Sequence, residues 1–255
     1  MADPLKILTV LNYYHPYVSG VSEYARLVSE SLAANGYAVT VLTGRHRKDL
    51  LPEETLAGVR IVRAEPWVFL HKGYLSFDFI WKYLSLVRLA DVVYLHLPML
   101  ESGLFASLVP SGKPMLVTYH CDVTASRSGS LLDKLAVSAV RASCRMCVLR
   151  ADRVAVSSFD YACESSILRG LDRKVLEIHP PDKAPPVELK RKPLSVAGEP
   201  ARIGFLGRFA EEKGLDVLLD AVPLILKHLP KTRFLLAGDY ATIAGRSMFL
   251  SLIHI

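Results

Sequence analysis

The sequence is poor in the features that would place a protein outside the cell or within a membrane. Its 255 residues hold four cysteines, Cys121, Cys144, Cys147 and Cys163, with no framework of paired spacings, which points to a reducing compartment. No window of about 18 residues is uninterruptedly apolar, so no membrane-spanning helix is expected. The start, Met1-Ala2-Asp3-Pro4, runs straight into an apolar stretch without a basic region or cleavage site, unlike a secretory leader. No G-x-G-x-x-G follows that first stretch, which disfavours a dinucleotide-dependent oxidoreductase. Cys144 and Cys147 form a C-x2-C pair, but no second pair completes a zinc site. The pair also falls late in an expected helix, not at its start as in a thioredoxin-type motif. These absences predict a cytoplasmic protein whose C-x2-C cysteines are small buried or semi-buried residues.

What is present is a folded chain: 51% of residues are hydrophobic and 22% charged, a balance unlike that of disordered segments. The net charge of +6 fits an anionic partner such as a nucleotide diphosphate, acidic lipid or nucleic acid, without choosing among them. Short apolar runs alternate with amphipathic stretches, the pattern of a parallel sheet covered by helices. Residues 5–11 (LKILTVL) are too continuously apolar for a half-exposed strand and suit one buried on both faces. Residues 21–35 carry apolar side chains at helical spacing, and Gly36 is placed to end that helix before a strand at 37–43. Further strands are expected at 59–64, 91–96, 115–119, 153–157 and 174–178, with helices at 77–90, 131–150 and 160–169. These make one complete α/β domain, assigned to residues 1–182. Residues 183–200 (KAPPVELKRKPLSVAGEP) are rich in proline and charge and read as a linker. A second α/β start follows: strand 201–206, helix 215–228 and strand 232–237. The remaining residues, 201–255, amount to about one third of a typical domain of this type.

Two loops carry the chemistry. The first, 12–20 (NYYHPYVSG), joins a buried strand to a helix, and loops at the carboxyl ends of parallel strands form the ligand crevice. Gly20 lets the backbone approach a ligand and the helix start offers free N–H groups to a phosphate; an ordinary turn is the alternative. The second, 207–214 (GRFAEEKG), puts Arg208 after a strand and Lys213 before a helix. A guanidinium fork and an ammonium beside a helix N-terminus form a diphosphate clamp. A lysine there is unfavourable toward the helix dipole, which argues for an external anion rather than ion pairs with Glu211 and Glu212.

Here the residues reach a resemblance. The run Gly-Arg-x4-Lys-Gly, followed by LDVLLDAVPLILKHLPKTRFLLAGD, resembles the donor-domain opening of the family 4 retaining glycosyltransferases. The stretch PYVSGVSEYARLVSESLAANGYAVTVLT is similar to that family's acceptor-domain opening, with Ser19-Gly20 where a Gly-Gly pair is usual. The segments VVYLHLP (92–98), VTYHCD (117–122) and ADRVAVSS (151–158) match in kind and order. The resemblance implies a GT-B-like α/β fold with one complete Rossmann-like domain and the start of a second. It implies transfer of a sugar from a nucleoside-diphosphate sugar, with retention, to a glycan or lipid-linked acceptor. Neither a metal nor a cofactor is then expected, and no nucleic acid partner. Ser19 and Gly20 would lie against the donor diphosphate, His120 would face the transferred sugar, and Arg208 and Lys213 would hold the diphosphate and stabilise the leaving group. His96 and Asp122, the latter as a neighbour of His120, are candidates on the acceptor side, as are Tyr13, Tyr14 and His15, although aromatic core packing explains the tyrosines equally well.

Residues 67–88 mix aromatic and basic side chains. They read either as a surface for the inner face of a membrane or as a core-facing aromatic stripe. The family's paired glutamates, seven residues apart and holding the donor's sugar and ribose, have no counterpart after Asp239, and the closing FLSLIHI is apolar to its end. The expectation is a truncated donor domain and poor or absent transfer by this chain alone. The rival is a non-catalytic subunit that docks an acceptor or membrane and borrows a donor domain from a partner.

Overall fold

Seven of the apolar runs become parallel strands of a single sheet. The computed structural model describes residues 3–70, 73–124, 130–181, 200–207, 209 and 213–238, leaving aside the side chains of 68–70 and 73–75. The chain divides into two compact units, Met1–Lys183 and Ala184–Ile255.

In the first unit the order is β1 (Lys6–Val10), α1 (Gly20–Ala34), β2 (Ala38–Gly44), β3 (Glu53–Leu56), β4 (Val59–Ala64), β5 (Val68–Leu70), β6 (Gly73–Leu75), α2 (Phe77–Leu89), β7 (Val92–Leu97), α3 (Ser102–Ser107), β8 (Met115–Tyr119), α4 (Leu131–Arg150), β9 (Arg153–Val156), α5 (Phe159–Glu164) and β10 (Val175–Glu177). The main sheet runs β10-β9-β8-β7-β1-β2-β4-β3. All its pairings are parallel except the edge pair, where β3 runs antiparallel to β4. Two cores follow from burial of both sheet faces. One packs Leu8, Val10, Leu95 and Val117 against α2 residues Phe79, Tyr83 and Val87 and α4 residues Cys144, Cys147 and Val148. The other packs Leu11, Val39, Val41, Val59 and Ile61 beneath Ala25 of α1. Each fully buried aliphatic side chain of this kind stabilises the fold by about 1.5–3 kcal/mol.

Local chemistry sets the boundaries. Ser19 and Ser22 close a capping box at the start of α1, satisfying two amides that the helix cannot. At its end Gly36 takes φ 87°, the left-handed conformation that terminates helices at low cost. The α4 helix begins with the same device, Ser130 with Asp133. The α5 helix stops at Glu164 and does not continue to 169. Ser165 leaves it in an extended conformation, with its hydroxyl bonded to Asp122 Oδ1 at 3.1 Å. Both cysteines of the C-x2-C pair lie in the core, at 1% and 0% exposure. Burial raises both thiols, which keeps them protonated. Among the described residues no group of three or more metal-binding side chains gathers, and no helix is long and apolar enough to cross a membrane.

The second unit contains β11 (Arg202–Leu206), α6 (Leu215–His228) and β12 (Arg233–Ala237). Its two strands are parallel and in register from Arg202 opposite Arg233 to Leu206 opposite Ala237. A β-carbon on Gly238 would stand 1.7 Å from the Gly207 carbonyl oxygen, so the two strand ends approach closely enough to require glycine there.

Candidate functional site

The direction of strand order reverses between β1 and β7, with β2 and β4 on one side and β8, β9 and β10 on the other. The crevice beyond the carboxyl ends of the strands at such a switch point is where ligands bind in open α/β sheets. The loop after β1 and the ends of β7 and β8, which carry the candidate residues of the first unit, are the segments at that end of the sheet. Gly20 is the first residue of α1. It has no left-handed backbone, and a β-carbon added to it would meet nothing within 4 Å. Neither a left-handed backbone nor a close neighbour requires glycine at this exposed position. Ser19 Oγ is engaged as the cap, accepting from Ser22 N at 3.1 Å. With Ser22 N and Glu23 N bonded to Ser19, the amides of Gly20 and Val21 are the ones that the helix and its cap leave over at the positive end of the helix dipole.

One turn into α1, the Tyr24 ring stands edge-on to His120, with centroids 5.0 Å apart. His120 follows β8, and its Nε2 lies 3.1 Å from Nδ1 of His96 near the end of β7. The two imidazoles stack at 19°. Burial lowers His120 to about 4; burial, and then His120, lowers His96 well below the ordinary histidine value. Both rings are neutral at physiological pH. Beside Tyr24, the side chain that meets His120 is His96. Asp122 is committed elsewhere, its Oδ1 accepting from Tyr119 Oη at 2.6 Å and Ser165 Oγ at 3.1 Å.

The acceptor-side candidates separate. Tyr14 is 2% exposed and belongs to the core beneath α1; burial pushes its phenol up to about 12. Tyr13 stacks on Tyr17 with centroids 4.6 Å apart, and both rings meet His46 edge-on. His15 contributes its carbonyl, which accepts from Arg63 Nη2 at 3.1 Å.

Three side chains were not legible in the sequence. Arg63 is wholly buried and ion-paired with Glu54, and its Nη1 donates to Leu51 O at 2.9 Å. It thereby ties the loops after β1 and β2 to β4; an arginine in a strand of alternating character gives no such signal. His46 adds an imidazole to the Tyr13–Tyr17 pair, and burial, more than Arg47 and Arg63, lowers its pKa. Glu101, just past β7, is 7% exposed, and neither carboxylate oxygen has a partner among the described residues. Burial pushes its carboxyl up to about 7, and its charge reaches Tyr13, whose phenol burial, then Tyr17, then Glu101 raise.

In the second unit Arg208 lies outside the described residues. Lys213 is exposed and immediately precedes Gly214, which caps α6 with φ 66°. In the aromatic segment Phe79 and Tyr83 are core, whereas Trp67, Phe77 and Trp81 are 68%, 63% and 70% exposed. Trp67 and Phe77 touch, with ring centroids 5.2 Å apart. The core-facing reading of that segment thus holds for Phe79 and Tyr83, while Trp67, Phe77 and Trp81 lie at the surface.

The sequence model of Glycosyltransferase Family 4 matches residues 18–181. No curated protein matches the sequence significantly. Solved structures resemble the fold at low identity. Sucrose-phosphate synthase from Thermosynechococcus elongatus is 18% identical with a TM-score of 0.63, over 98% of this chain and 67% of that one. The catalytic domain of starch synthase IV from Arabidopsis thaliana, bound to ADP and acarbose, is 15% identical with a TM-score of 0.59, over 98% and 71%. Anabaena HepE in complex with UDP-glucose is 15% identical with a TM-score of 0.59, over 98% and 64%. The chain thus spans about two thirds of the length of these structures.

Proposed function

The chain belongs to glycosyltransferase family 4, and from that premise we propose that it carries the acceptor half and the opening of the donor half of a retaining, nucleotide-sugar-dependent glycosyltransferase. The observation that carries this reading is the open space over Gly20 at the start of α1, a helix whose Tyr24 ring meets His120 at the switch point of the sheet. An anionic diphosphate suits that helix start. In this reading His120 faces the transferred sugar. Arg208 and Lys213 take the diphosphate as a fork and a point charge, and offset the charge that grows on the leaving group as the glycosidic bond breaks. These cations supply the stabilisation without a metal. Tyr13, Tyr17 and His46 line the acceptor side with aromatic faces suited to a glycan or lipid-linked sugar. The exposed Trp67, Phe77 and Trp81 suit an interfacial contact with a membrane that carries such an acceptor.

The test is calorimetric titration of residues 1–255 with UDP, ADP and GDP. One nucleotide binds, and Lys213→Ala and Arg208→Ala each weaken it about tenfold or more, the scale of a lost charge-assisted hydrogen bond. Unaltered affinity in both variants would remove the diphosphate clamp from the proposal. With a UDP-, ADP- or GDP-linked sugar as donor, residues 1–255 alone transfer poorly, because the residues after Asp239 hold no counterpart of the family's glutamate pair; robust turnover would sink that part.

A further inference from the structure

We propose that His96 is a positioning residue that fixes the tautomer of His120, so that His120 presents its Nδ1–H as a hydrogen-bond donor toward the crevice. Only the identity of the oxygen that receives this hydrogen rests on the functional reading above. His96 Nδ1 and His120 Nε2 are 3.1 Å apart in a near-parallel stack. Between two neutral imidazoles one of these nitrogens carries the hydrogen and the other the lone pair. Both rings are held neutral by burial.

The far side of His96 decides between the two arrangements. Its ring is 1% exposed, and Nε2 has no hydrogen-bond partner among the described residues. The rings around it are Tyr24, Tyr94 and His120, and an aromatic face is at best a weak acceptor. Were His120 to donate through Nε2, a neutral His96 would carry its hydrogen on its own Nε2 and bury an N–H with no acceptor. If His96 donates through Nδ1, only a lone pair is left unmet. An orphaned buried N–H is the rarer of the two in folded proteins, and burying an unsatisfied polar group costs about 1–3 kcal/mol. His96 is therefore the donor within the pair. His120 then holds its single hydrogen on Nδ1, the one ring nitrogen left for a ligand. A donor there recognises an oxygen lone pair, on a sugar hydroxyl or a phosphate, and cannot serve as a general base.

The experiment is long-range proton–nitrogen correlation spectroscopy of residues 1–255 labelled with 15N-histidine, above the ordinary histidine pKa. The His120 signals are assigned by their loss in His120→Gln. The expected spectrum has His120 protonated at Nδ1 and bare at Nε2. In His96→Asn the amide nitrogen takes the place of Nδ1 and the Nδ1–H tautomer of His120 persists. In His96→Phe the ring remains but the donor is lost, and the His120 signals move to those of mixed tautomers. Melting curves establish that both variants fold, and the unsubstituted spectrum decides the tautomer even where one does not. Protonation of His120 at Nε2 in the unsubstituted chain, or an unchanged tautomer in a folded His96→Phe, overturns the proposal. Neither result bears on whether a nucleotide binds. A chain that binds no nucleotide but shows the Nδ1–H tautomer would instead count against the functional reading alone.

Discussion

At position 20 the protein leaves a volume that none of its own atoms fills. A side chain there meets no clash and no forbidden backbone, so Gly20→Val leaves the melting temperature nearly unchanged. If the donor diphosphate binds there as proposed, the side chain takes its space, and nucleotide affinity falls at least about tenfold, roughly one charge-assisted hydrogen bond. Normal binding by Gly20→Val would move the donor elsewhere. Glu101 supports a prediction of a different kind. Its folded pKa of about 7 lies above the ordinary 4.5. The unfolded chain releases this proton first, so between those values the folded state binds more protons and stability falls as pH rises. The displacement corresponds to roughly 3 kcal/mol over that window. In Glu101→Gln this contribution disappears, and the variant gains on the parent by that amount between pH below 4.5 and pH above 7. Urea melts across the range measure it, and parallel pH profiles would show that the carboxylate is not held neutral by burial. Glu101 was illegible in the sequence because its burial, and its lack of partners among the described residues, arise from packing at the end of β7. His120 and His96 were both legible as strand-end residues. Their contact was not, because it depends on β7 and β8 being neighbours with His96 opposite Thr118.

Among the elements, the loop after β1 is secured from outside itself. Arg63 of β4 reaches the His15 and Leu51 carbonyls and pairs with Glu54 on the edge strand β3. Removing one member of a buried pair leaves the other charge uncompensated. Arg63→Met therefore destabilises by about 3 kcal/mol, and amides of residues 12–19 exchange faster than those of β7 and β8. A loss below about 1 kcal/mol in denaturant melts would show that the pair is solvated and the loop held by other contacts. The legibility of elements followed the same division between local and tertiary causes. Strands 59–64 and 115–119 and helices 131–150 and 215–228 match the sequence pattern residue for residue, because continuous apolar runs or helical periodicity decide them locally. The edge strand Glu53–Leu56 was missed: its EETL sequence is largely exposed and held by pairing with β4. Its turn uses Ala57 and Gly58 at φ 49° and 80°, a hairpin geometry with a weak sequence signal. The overlong α5 expectation failed where Asp122 draws Ser165 out of the helix, a contact between residues 43 apart in sequence.

The two units differ in how completely each buries its apolar surface. The first encloses an eight-stranded sheet, with strand residues such as Val10, Leu95 and Val117 at 0% exposure. In the second, both strands alternate between intermediate and exposed positions. Of its described residues only Phe209, Leu215 and Thr232 are buried, while Leu206, Val217, Leu224 and Leu235 are all more than half exposed. A pair of strands has little independent stability without a third strand or a well-packed helix, and of α6 only Leu215 is buried. Residues 1–255 should therefore unfold in two steps. Amides of β11 and β12 lose protection first and exchange orders of magnitude faster than those of β1 and β7, whose opening approaches the global free energy. A nucleotide that grips Lys213 stabilises the weaker unit selectively, by about 2.7 kcal/mol at a hundredfold excess over its dissociation constant. Hydrogen exchange with and without the nucleotide then separates the possibilities. Slowed exchange in β11 and β12 locates the diphosphate on the second unit. Slowed exchange confined to α1 gives that role to the Gly20 amides alone, and a single transition with uniform protection would mean that the second unit owes its stability to contacts beyond its own strands and helix.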